Sequence, residues 1–448
     1  MAYLNGFTVG LINTSLYNLS QNWNHLVMTF NTSENKTKLY LNKILTEKPF
    51  NCTSILDNDL NLTIGKNFSG IIDEVRIWNR ALSHDEINAS YNASVYNTNF
   101  TNLSTGKYNY SVYAINEQGF ENNTNQNVSI IQTRNIYVDK DNTDGPWLGS
   151  STYPFQYIQD AINNSSNGDT IYVLPGNYSE NIIIDKEIDL IGNETDTTMI
   201  WANLQDQPCI NIFESNVNIS FFNLTNANKT AYGAGIYVCN IENVNITHCN
   251  IYKNLFNIKI DNSNNVNISY NTIYNSSYDC INIFSSDTIK IYNNSIYKSY
   301  DDGIHLVNST YTNITNNKIN SSIRYGINLQ NISDNNNIYG NTINQNYFDG
   351  IKIWDNSDNN NISNNCFYNN IYEDIWIYNS VNNSLYSNTF NNSDNKSVYI
   401  NNSDYTYIIN CTFINNNISI VFDRSNNSEI KYCIFRDNNL SINLTNSM

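Results

Sequence analysis

The chain has 448 residues, which is too long for one compact core and predicts roughly two to four domains. Its composition is 40% hydrophobic, 13% aromatic and only 14% charged, so it can bury a large core and is not expected to be disordered. The formal net charge of -17 argues against nucleic acid and anionic membranes as partners. About a fifth of the residues are Asn, and the abundant Ile, Tyr and Thr predict an all-β protein without a membrane span.

Asn-x-Ser/Thr sequons are enriched, with about forty in the chain where the residue frequencies alone give roughly sixteen. Glycosylation explains this pairing and predicts an extracellular or cell-surface protein, whereas the alternative, codon bias in an AT-rich genome, explains only the Asn. Met1 to Ser15 has neither the basic start nor the apolar run of a signal peptide, so the chain as written carries no export signal. The eight cysteines include no Cys-x-x-Cys, so zinc or redox chemistry is not indicated.

Residues 1–92 are predicted to form part of a β-sandwich. Three segments carry this prediction: WNHLVMTFN from Trp23, KLYLN from Lys38, and IGKNFSGIIDEVRIWNRALSHDEI over 64–87. They resemble the C-terminal half of a laminin-G-like, concanavalin-like jelly roll. Because a complete domain of that family is longer and would need strands before Met1, we expect the chain to be either a fragment or a gene model that starts late.

Calcium is the one cofactor that this resemblance implies, through Asp73 and Glu74. The alternative, which we favour, is that these carboxylates pair with Arg76 or Arg80. We therefore predict no cofactor and no metal site.

Residues 93–135 are predicted to form a short Ig-like β-hairpin linker, because Tyr108, Tyr110, Val112 and Ala114 alternate with polar residues. The turn-rich text VDKDNTDGPWLGSST follows and marks the boundary with the next domain.

Residues 136–448 are expected to form one solenoid. An apolar residue, four others and a second apolar residue recur every 22 to 24 residues after one longer first coil. Coils of this length hold short strands that bury their inner face only by stacking on their neighbours. The pattern begins at Ile219, Ile246, Ile268, Ile291, Ile314, Ile338, Ile362, Leu385, Ile408 and Ile430.

The third residue after the anchor is Asn in six consecutive coils. Asn side chains in register on one face can hydrogen-bond up the stack as an amide ladder, so we predict a structural role for them. Cys249, Cys411 and Cys433 fall in the same column, where parallel Cβ vectors favour free thiols over disulfides. The predicted ladder residues are Asn271, Asn294, Asn317, Asn341, Asn365 and Asn388.

The periodic NNxIxxNxI and GIxL text resembles the repeats of pectate-lyase-like and NosD-type parallel β-helices over about half of the chain. The text over 153–192 resembles the opening of such right-handed β-helices. There, a helix at 154–163 is expected to cover the open first coil with one apolar face. That face comprises Phe155, Ile158, Ala161 and Ile162.

Aromatic residues are predicted to cluster on the outer surface of the solenoid. The strand that carries Ile304 and Leu306 directs the residue between them outward, and the same register defines two outward columns. Exposed rings of this kind stack on sugar faces, which predicts a carbohydrate-binding face for polysaccharide or glycoprotein glycans. The alternative is that a loop or glycan covers the rings. The residues concerned are Trp354, Trp376, Tyr378 and Tyr399.

An acidic column precedes the same strands, with Asp279, Asp302, Asp349 and Glu373 at equivalent positions. Like charges one coil apart raise one another's pKa unless a cation, a sugar or solvent compensates them. β-Helix hydrolases, lyases and epimerases use carboxylates on such a surface, and Asp302 with His305 offers an acid and a base of different type. The simpler interpretation, which we favour, is solvated Asp residues in turns.

These features favour a glycosylated, adhesin-like protein of the cell surface that binds carbohydrate and is not an enzyme. In this it resembles the adhesin-like surface proteins of methanogenic archaea. The alternative is a polysaccharide lyase, glycoside hydrolase or epimerase, and a third hypothesis is a structural surface-layer spacer that binds no glycan. The catalytic groups of the enzyme would be Asp279, Asp302, His305, Asp349 and Glu373.

Overall fold

The computed structural model divides the chain into two compact units, Met1–Ile131 and Gln132–Met448. The stretch 64–77, with the calcium candidates Asp73 and Glu74, lies outside the described residues. The structure describes residues 2–4, 7–9, 24–31, 36–45, 50–51, 78, 80–93, 106–115, 121–130, 133–229 and 233–447.

The described part of the first unit contains antiparallel strands of two to ten residues and the helix α1 (His84–Ala93). Helix α1 begins with a capping box: the hydroxyl of Ser83 accepts the backbone N–H of Glu86, and the Glu86 carboxylate accepts that of Ser83 at 2.7 Å. No helix in the described part of the chain is both long enough and apolar enough to cross a membrane. The strands are Ala2–Leu4 with Phe7–Val9; Leu26–Asn31, Lys36–Leu41, Ile44–Leu45 and Phe50–Asn51; and Gly106–Ile115 with Glu121–Ile130.

The second unit is a parallel β-helix of about twelve coils, and the predicted right-handed solenoid is confirmed. Each coil contributes one strand to each of three parallel sheets, which we call sheets I, II and III. Sheet I comprises Asn135–Val138, Thr170–Val173, Asp189–Gly192, Val217–Ser220, Glu242–Thr247, Asn264–Ser269, Lys290–Tyr292, Asn313–Thr315, Asn337–Tyr339, Asn361–Ser363, Ser384–Tyr386, Tyr407–Ile409 and Glu429–Lys431. Sheet II comprises Gly176–Ser179, Thr198–Trp201, Asn223–Thr225, Asn250–Tyr252, Thr272–Tyr274, Ser295–Tyr297, Lys318–Asn320, Thr342–Asn344, Cys366–Tyr368, Thr389–Asn391, Thr412–Ile414 and Ile434–Arg436. Sheet III comprises Ile182–Ile184, Ile210–Ile212, Ala234–Cys239, Phe256–Asp261, Ile281–Phe284, Ile304–Val307, Ile327–Gln330, Ile351–Trp354, Ile375–Tyr378, Lys396–Asn401, Ile418–Asp423 and Leu440–Thr445.

Apolar side chains stack in register to form one continuous core along the solenoid. In sheet III, for example, Ile258 pairs with Ile281, which pairs with Ile304, and all three are fully buried. Burying each such side chain contributes roughly 1.5–3 kcal/mol relative to leaving it in water. The alternation read from the sequence therefore corresponds directly to the inward face of each strand.

The turns between sheets I and II use Asn in the left-handed backbone conformation. Asn293, Asn316 and Asn364 have φ of 56°, 55° and 55°, and Gly340 occupies the equivalent position with φ of 68°. Asn tolerates this conformation better than most other residues with a side chain. Asn thus takes the place of Gly in many turns, which is consistent with only 17 Gly in the chain.

The six Asn residues of the ladder are buried and hydrogen-bonded from coil to coil. The side-chain amide of Asn317 donates to the Asn341 side-chain oxygen at 3.0 Å and to the Ile291 carbonyl at 2.8 Å. The same Asn341 oxygen also accepts the backbone N–H of Asn317 at 2.8 Å. The neighbouring thiols of Cys249 and Cys411 are free and buried.

Helix α2 (Ile158–Asn164) buries Ile158, Ala161 and Ile162 against the first coil. The ammonium group of Lys186 lies at its C-terminal end and donates to the carbonyl of Ile162 at 2.7 Å. The strand Asn135–Val138 pairs with Thr170–Val173 and is the first strand of sheet I, within one residue of the predicted start of the solenoid at residue 136.

Candidate functional site

The outward face of sheet III carries one side chain per coil between two buried apolar ones, and we call this column the floor. Register is kept from coil to coil, so the floor side chains follow the solenoid axis. Asn328 and Lys352 point outward from the core by strand alternation but are only 1% and 3% exposed. The indoles of Trp354 and Trp376 lie against them. The floor comprises Lys259, Asn282, His305, Asn328, Lys352, Trp376 and Tyr399.

The acidic column lies beside the floor, and its carboxylates are buried. Asp279, Asp302, Asp349 and Glu373 are at most 5% exposed. The interpretation of these residues as solvated turn Asp is therefore wrong. The reason is that the turn places each Asp carboxylate against the backbone of the next coil, whereas that of Glu373 lies against the side chains of Asn395 and Lys396.

One oxygen of each Asp in this column accepts a backbone N–H of the following coil. Oδ1 of Asp279 accepts the N–H of Asp302 at 3.0 Å, Oδ1 of Asp302 accepts that of Tyr325 at 3.1 Å, and Oδ1 of Asp349 accepts that of Glu373 at 3.1 Å. These bonds hold neighbouring turns together, so one oxygen of each carboxylate has a structural role. The second oxygen remains available to the floor.

The second oxygens of Asp279 and Asp302 converge on His305. The imidazole Nδ1 of His305 lies 3.2 Å from Oδ2 of Asp279 and 3.7 Å from Oδ2 of Asp302. The amides of Asn282 and Asn328 donate to the same two oxygens at 2.7 and 2.8 Å. The predicted pair of Asp302 and His305 is thus brought together, with Asp279 as a third member.

The electrostatics of this triad favour a proton held between its groups. Burial, the charge of Asp279 and that of Asp301 raise the pKa of Asp302 to about 7, although His305 opposes the shift. Burial lowers the pKa of His305, but the hydrogen bond and charge of Asp279 outweigh it, so that pKa is raised. Near neutral pH the triad can therefore both release and accept a proton, which is what acid–base chemistry requires.

The triad is also the one group within the described residues that could hold a metal ion by ligand type and spacing. Its three ligand atoms lie within 4.8 Å of one another. Two carboxylate oxygens and an imidazole nitrogen are ligands for transition metals rather than for calcium.

Asp349 and Lys352 form a second buried group two coils further along. Oδ2 of Asp349 is buried without a hydrogen-bond partner, and burial together with the charge of Glu373 raises the pKa of Asp349 well above its usual range. Burial lowers the pKa of Lys352 to about 7, although Asp349 and Glu373 oppose the shift. The predicted acids Asp349 and Glu373 are therefore near each other and near Lys352, but they lie in different coils from His305.

The four aromatic residues predicted to bind sugar do cluster, but their rings mostly contact one another. Tyr399 stacks on one face of Trp376 with ring centroids 5.8 Å apart, and the ammonium group of Lys352 lies against the other face. Trp354 is half-buried and donates its indole N–H to Asn328 at 2.9 Å. Of the four, Tyr378 is the most exposed, at 39%. Trp376 therefore differs from the open platform expected from the sequence, because both of its faces are covered.

A second apolar feature, which the sequence pattern missed, runs along the turns between sheets II and III, and we call it the turn ridge. Its side chains are 37–68% exposed over five consecutive coils. Phe348 and Tyr372 stack with centroids 5.1 Å apart, and Tyr347 meets Phe348 edge-on. The signal in the sequence was the recurrence of large apolar residues at two adjacent turn positions, which strand alternation does not detect. The turn ridge comprises Tyr278, Tyr300, Ile323, Tyr347, Phe348, Ile371 and Tyr372.

Two shallow depressions adjoin the turn ridge. The first has a volume of about 390 Å³ and lies toward the floor, whereas the second, of about 350 Å³, lies toward sheet II. The first is lined by Leu255, Phe256, Lys259 and Tyr278. The second is lined by Asn275, Ser276, Lys298, Ser299, Tyr300, Ser321 and Ile323.

The chain belongs to the family described as right handed beta helix region. The family's model matches residues 208–367 and 356–448, which together are more than half of the chain. Residues 6–88 match the model of the concanavalin A-like lectin/glucanases superfamily, which accounts for the predicted concanavalin-like segment. No curated protein sequence matches the chain.

Solved structures similar to this chain include β-helical modules from bacteria. The A-module of the mannuronan C-5 epimerase AlgE4 of Azotobacter vinelandii has a TM-score of 0.54 and 15% identity, covering 68% of this chain and 97% of that one. The AlgE6 A-module of the same organism has a TM-score of 0.51 and 14% identity, covering 65% and 92%. DFA-IIIase from Arthrobacter chlorophenolicus A6 has a TM-score of 0.51 and 13% identity, covering 67% and 94%. At these identities the likeness shows the fold alone.

Proposed function

We propose that the protein is exported and binds a polysaccharide along sheet III, as an adhesin-like protein of the cell surface. The turn ridge carries this proposal, because seven aromatic and aliphatic side chains remain 37–68% exposed beside a floor of hydrogen-bonding groups. Contiguous apolar surface of this kind marks interaction sites. Sugars present apolar C–H faces and hydroxyl edges, which match a ridge of rings next to polar side chains.

The length of the ridge supports an extended ligand. Five coils at about 4.8 Å each span roughly 20 Å, which accommodates several consecutive sugar residues. The polysaccharide named for the similar epimerase modules and the lectin/glucanase match of residues 6–88 add support for a carbohydrate ligand. Export is proposed from the sequon enrichment.

The proposal is tested by measuring binding of the protein to a panel of polysaccharides by affinity electrophoresis. Replacing Tyr347 and Tyr372 with Ala removes two exposed rings of the ridge and is expected to weaken binding at least about tenfold. The matched control is Tyr270→Ala, because Tyr270 is 52% exposed in a turn between sheets I and II, away from the ridge. Absence of binding by the wild type would favour the structural spacer. Equal binding by the wild type, the double variant and the control would show that the ridge is not part of the binding site.

A second candidate function, a polysaccharide-modifying enzyme, is favoured by the triad of Asp279, Asp302 and His305. The imidazole is 17% exposed, whereas the two carboxylates are at most 2% exposed, so His305 would contact the substrate while the Asp residues orient it. His305→Gln is then expected to abolish product formation but leave binding within about threefold. Product is measured as new reducing ends, as unsaturated sugars by absorbance, and as epimerised residues by NMR. No product from the wild type on any bound polysaccharide would exclude this second function.

A further inference from the structure

Charged side chains beside the floor and the turn ridge are joined in pairs. Arg324 lies 3.0 Å from the Asp301 carboxylate, and Lys396 lies 2.5 Å from that of Glu373. In both pairs the basic residue comes from the coil that follows the acidic one. Each pair therefore links two coils across the surface where the polysaccharide is proposed to lie.

In the first coil of this surface, a basic and an acidic side chain of the same strand also form an ion pair. Lys259 lies 3.1 Å from Asp261, which also accepts the hydroxyl of Tyr237 at 2.8 Å. These two charged side chains are partly exposed, at 17% and 15%. A ligand that contacts this coil therefore meets a neutral pair.

The two other basic groups of the floor are also occupied. His305 lies between Asp279 and Asp302, as described above. Lys352 is 3% exposed and its ammonium group lies against the ring of Trp376, with Asp349 nearby. Lys298 is exposed and lines the second depression with Tyr300 and Ile323, on the sheet II side of the ridge rather than on the floor side.

We infer that the polysaccharide bound along sheet III is uncharged, a chain of neutral hydroxyl-bearing sugars rather than a uronate, sulfated or amino-sugar polymer. This rests on the proposed polysaccharide binding. A carboxylate or sulfate on the ligand gains most from a free Arg or Lys, and here it would have to displace an acidic partner already in place. An amino sugar meets the same obstacle at Asp261, Asp301 and Glu373. Neutral hydroxyls can donate to and accept from the paired groups without separating them.

The inference is tested with matched pairs of polymers that share a backbone and differ in charge: mannan with mannuronan, cellulose with its C6-oxidised form, and chitin oligomers with their deacetylated form. The wild-type protein is expected to bind a neutral member at least about tenfold more tightly than its charged counterpart, with affinity unchanged between low and high salt. Tighter binding of any charged member, or affinity that falls steeply with salt, would overturn the inference. If no polymer binds, the proposed function itself fails.

A gain-of-function variant tests the role of the pairs directly. Asp301→Asn removes the carboxylate that Arg324 is hydrogen-bonded to, so the affinity for mannuronan or oxidised cellulose is expected to rise several-fold. The control is Asp287→Asn, which changes net charge equally at an exposed carboxylate that accepts the hydroxyl of Thr310 in the turn after sheet III. A rise in Asp301→Asn alone supports the inference. No rise, or an equal rise in both variants, would show that the pairs do not set the charge preference.

Discussion

The ammonium group of Lys352 lies against one face of the indole ring of Trp376. Lys352 is nearly fully buried, and its burial lowers its pKa to about 7 although Asp349, Glu373 and Asp355 favour the charged form. The ring and the carboxylates therefore compensate only part of the hydration that the ammonium group loses on burial. The charged form of Lys352 is consequently less stable, relative to the neutral form, in the folded state than in the unfolded state.

Lys352→Met is expected to raise stability relative to the wild type more at pH 6 than at pH 9. A Lys with a lowered folded pKa binds fewer protons when folded, so wild-type stability rises with pH from about 7 to 10.5. Met keeps the shape without the charge, so we expect its stability relative to the wild type to be more favourable at pH 6 than at pH 9. Urea unfolding at pH 6 and pH 9 measures this, and an equal change of stability with pH in both proteins would contradict it.

Asp374→Asn tests a fully buried carboxylate behind the floor. Asp374 accepts the amide of Asn370 at 2.8 Å and the hydroxyl of Ser393, and burial, with a smaller effect of Glu373, raises its pKa to about 7. Cys366 is the other titratable group near it.

Because the folded pKa of Asp374 is above its usual value of 3.8, the wild type loses stability as pH rises from about 4 to 7. The Asn variant should gain stability relative to the wild type over that range, by up to roughly 4 kcal/mol. Thermal unfolding at pH 4.5 and pH 8 measures the difference. The control is Asp437→Asn, at an exposed carboxylate, and a trend of the same size there would contradict the assignment to Asp374.

Asn317→Ala is expected to destabilise the solenoid by roughly 2–4 kcal/mol. The change leaves the buried Asn294 N–H without the Asn317 oxygen that accepts it and removes the Asn317 amide that donates to the Ile291 carbonyl. Asn313→Ala removes an exposed Asn of the neighbouring sheet I strand and should change stability by less than about 0.5 kcal/mol. Chemical denaturation compares the two, and similar losses would show that the ladder adds nothing beyond an ordinary surface Asn.

Gly326→Ala is expected to destabilise the turn before sheet III by roughly 1–3 kcal/mol. A Cβ at this position would lie 2.6 Å from the carbonyl oxygen of Gly350 in the next coil, so the stacked turns would have to separate. Gly176→Ala is the control, because its Cβ would come no closer than 3.3 Å, to a ring atom of Tyr178. Unfolding midpoints distinguish them, and a stable Gly326→Ala protein would show that the turns can separate freely.

The inward face of the solenoid could be predicted from the sequence because one physical rule determines it. A residue such as Ile304 that alternates with polar neighbours and recurs in every coil must face the core. Asn317 recurs in its own column of buried turn positions, so its side chain must hydrogen-bond within the core. Nothing outside the repeat is needed for these assignments. The concanavalin-like segment was recognised by resemblance instead.

The outer surface could not be predicted in the same way, because exposure there depends on which neighbours cover a side chain. Asp302 looks like a solvated turn residue in the sequence, and only the stacking of Tyr325 and Asn328 in the next coil shows that it is buried. Trp376 looks exposed, yet Lys352 and Tyr399 cover its faces. Which side chains are covered depends on contacts between neighbouring coils, so the residue pattern of a single coil does not predict it.

The Asn ladder also bears on how such a protein can change in length. Each coil from Asn294 to Asn365 offers the same hydrogen-bonding surface to the coil before it and the coil after it. Duplication or deletion of one whole repeat in the gene would therefore rejoin identical surfaces, whereas an insertion of one residue within a strand would turn its side chains to the wrong face. The number of coils can thus vary in evolution more freely than their sequence, except where the coils that carry His305 and Lys352 give the surface its chemistry.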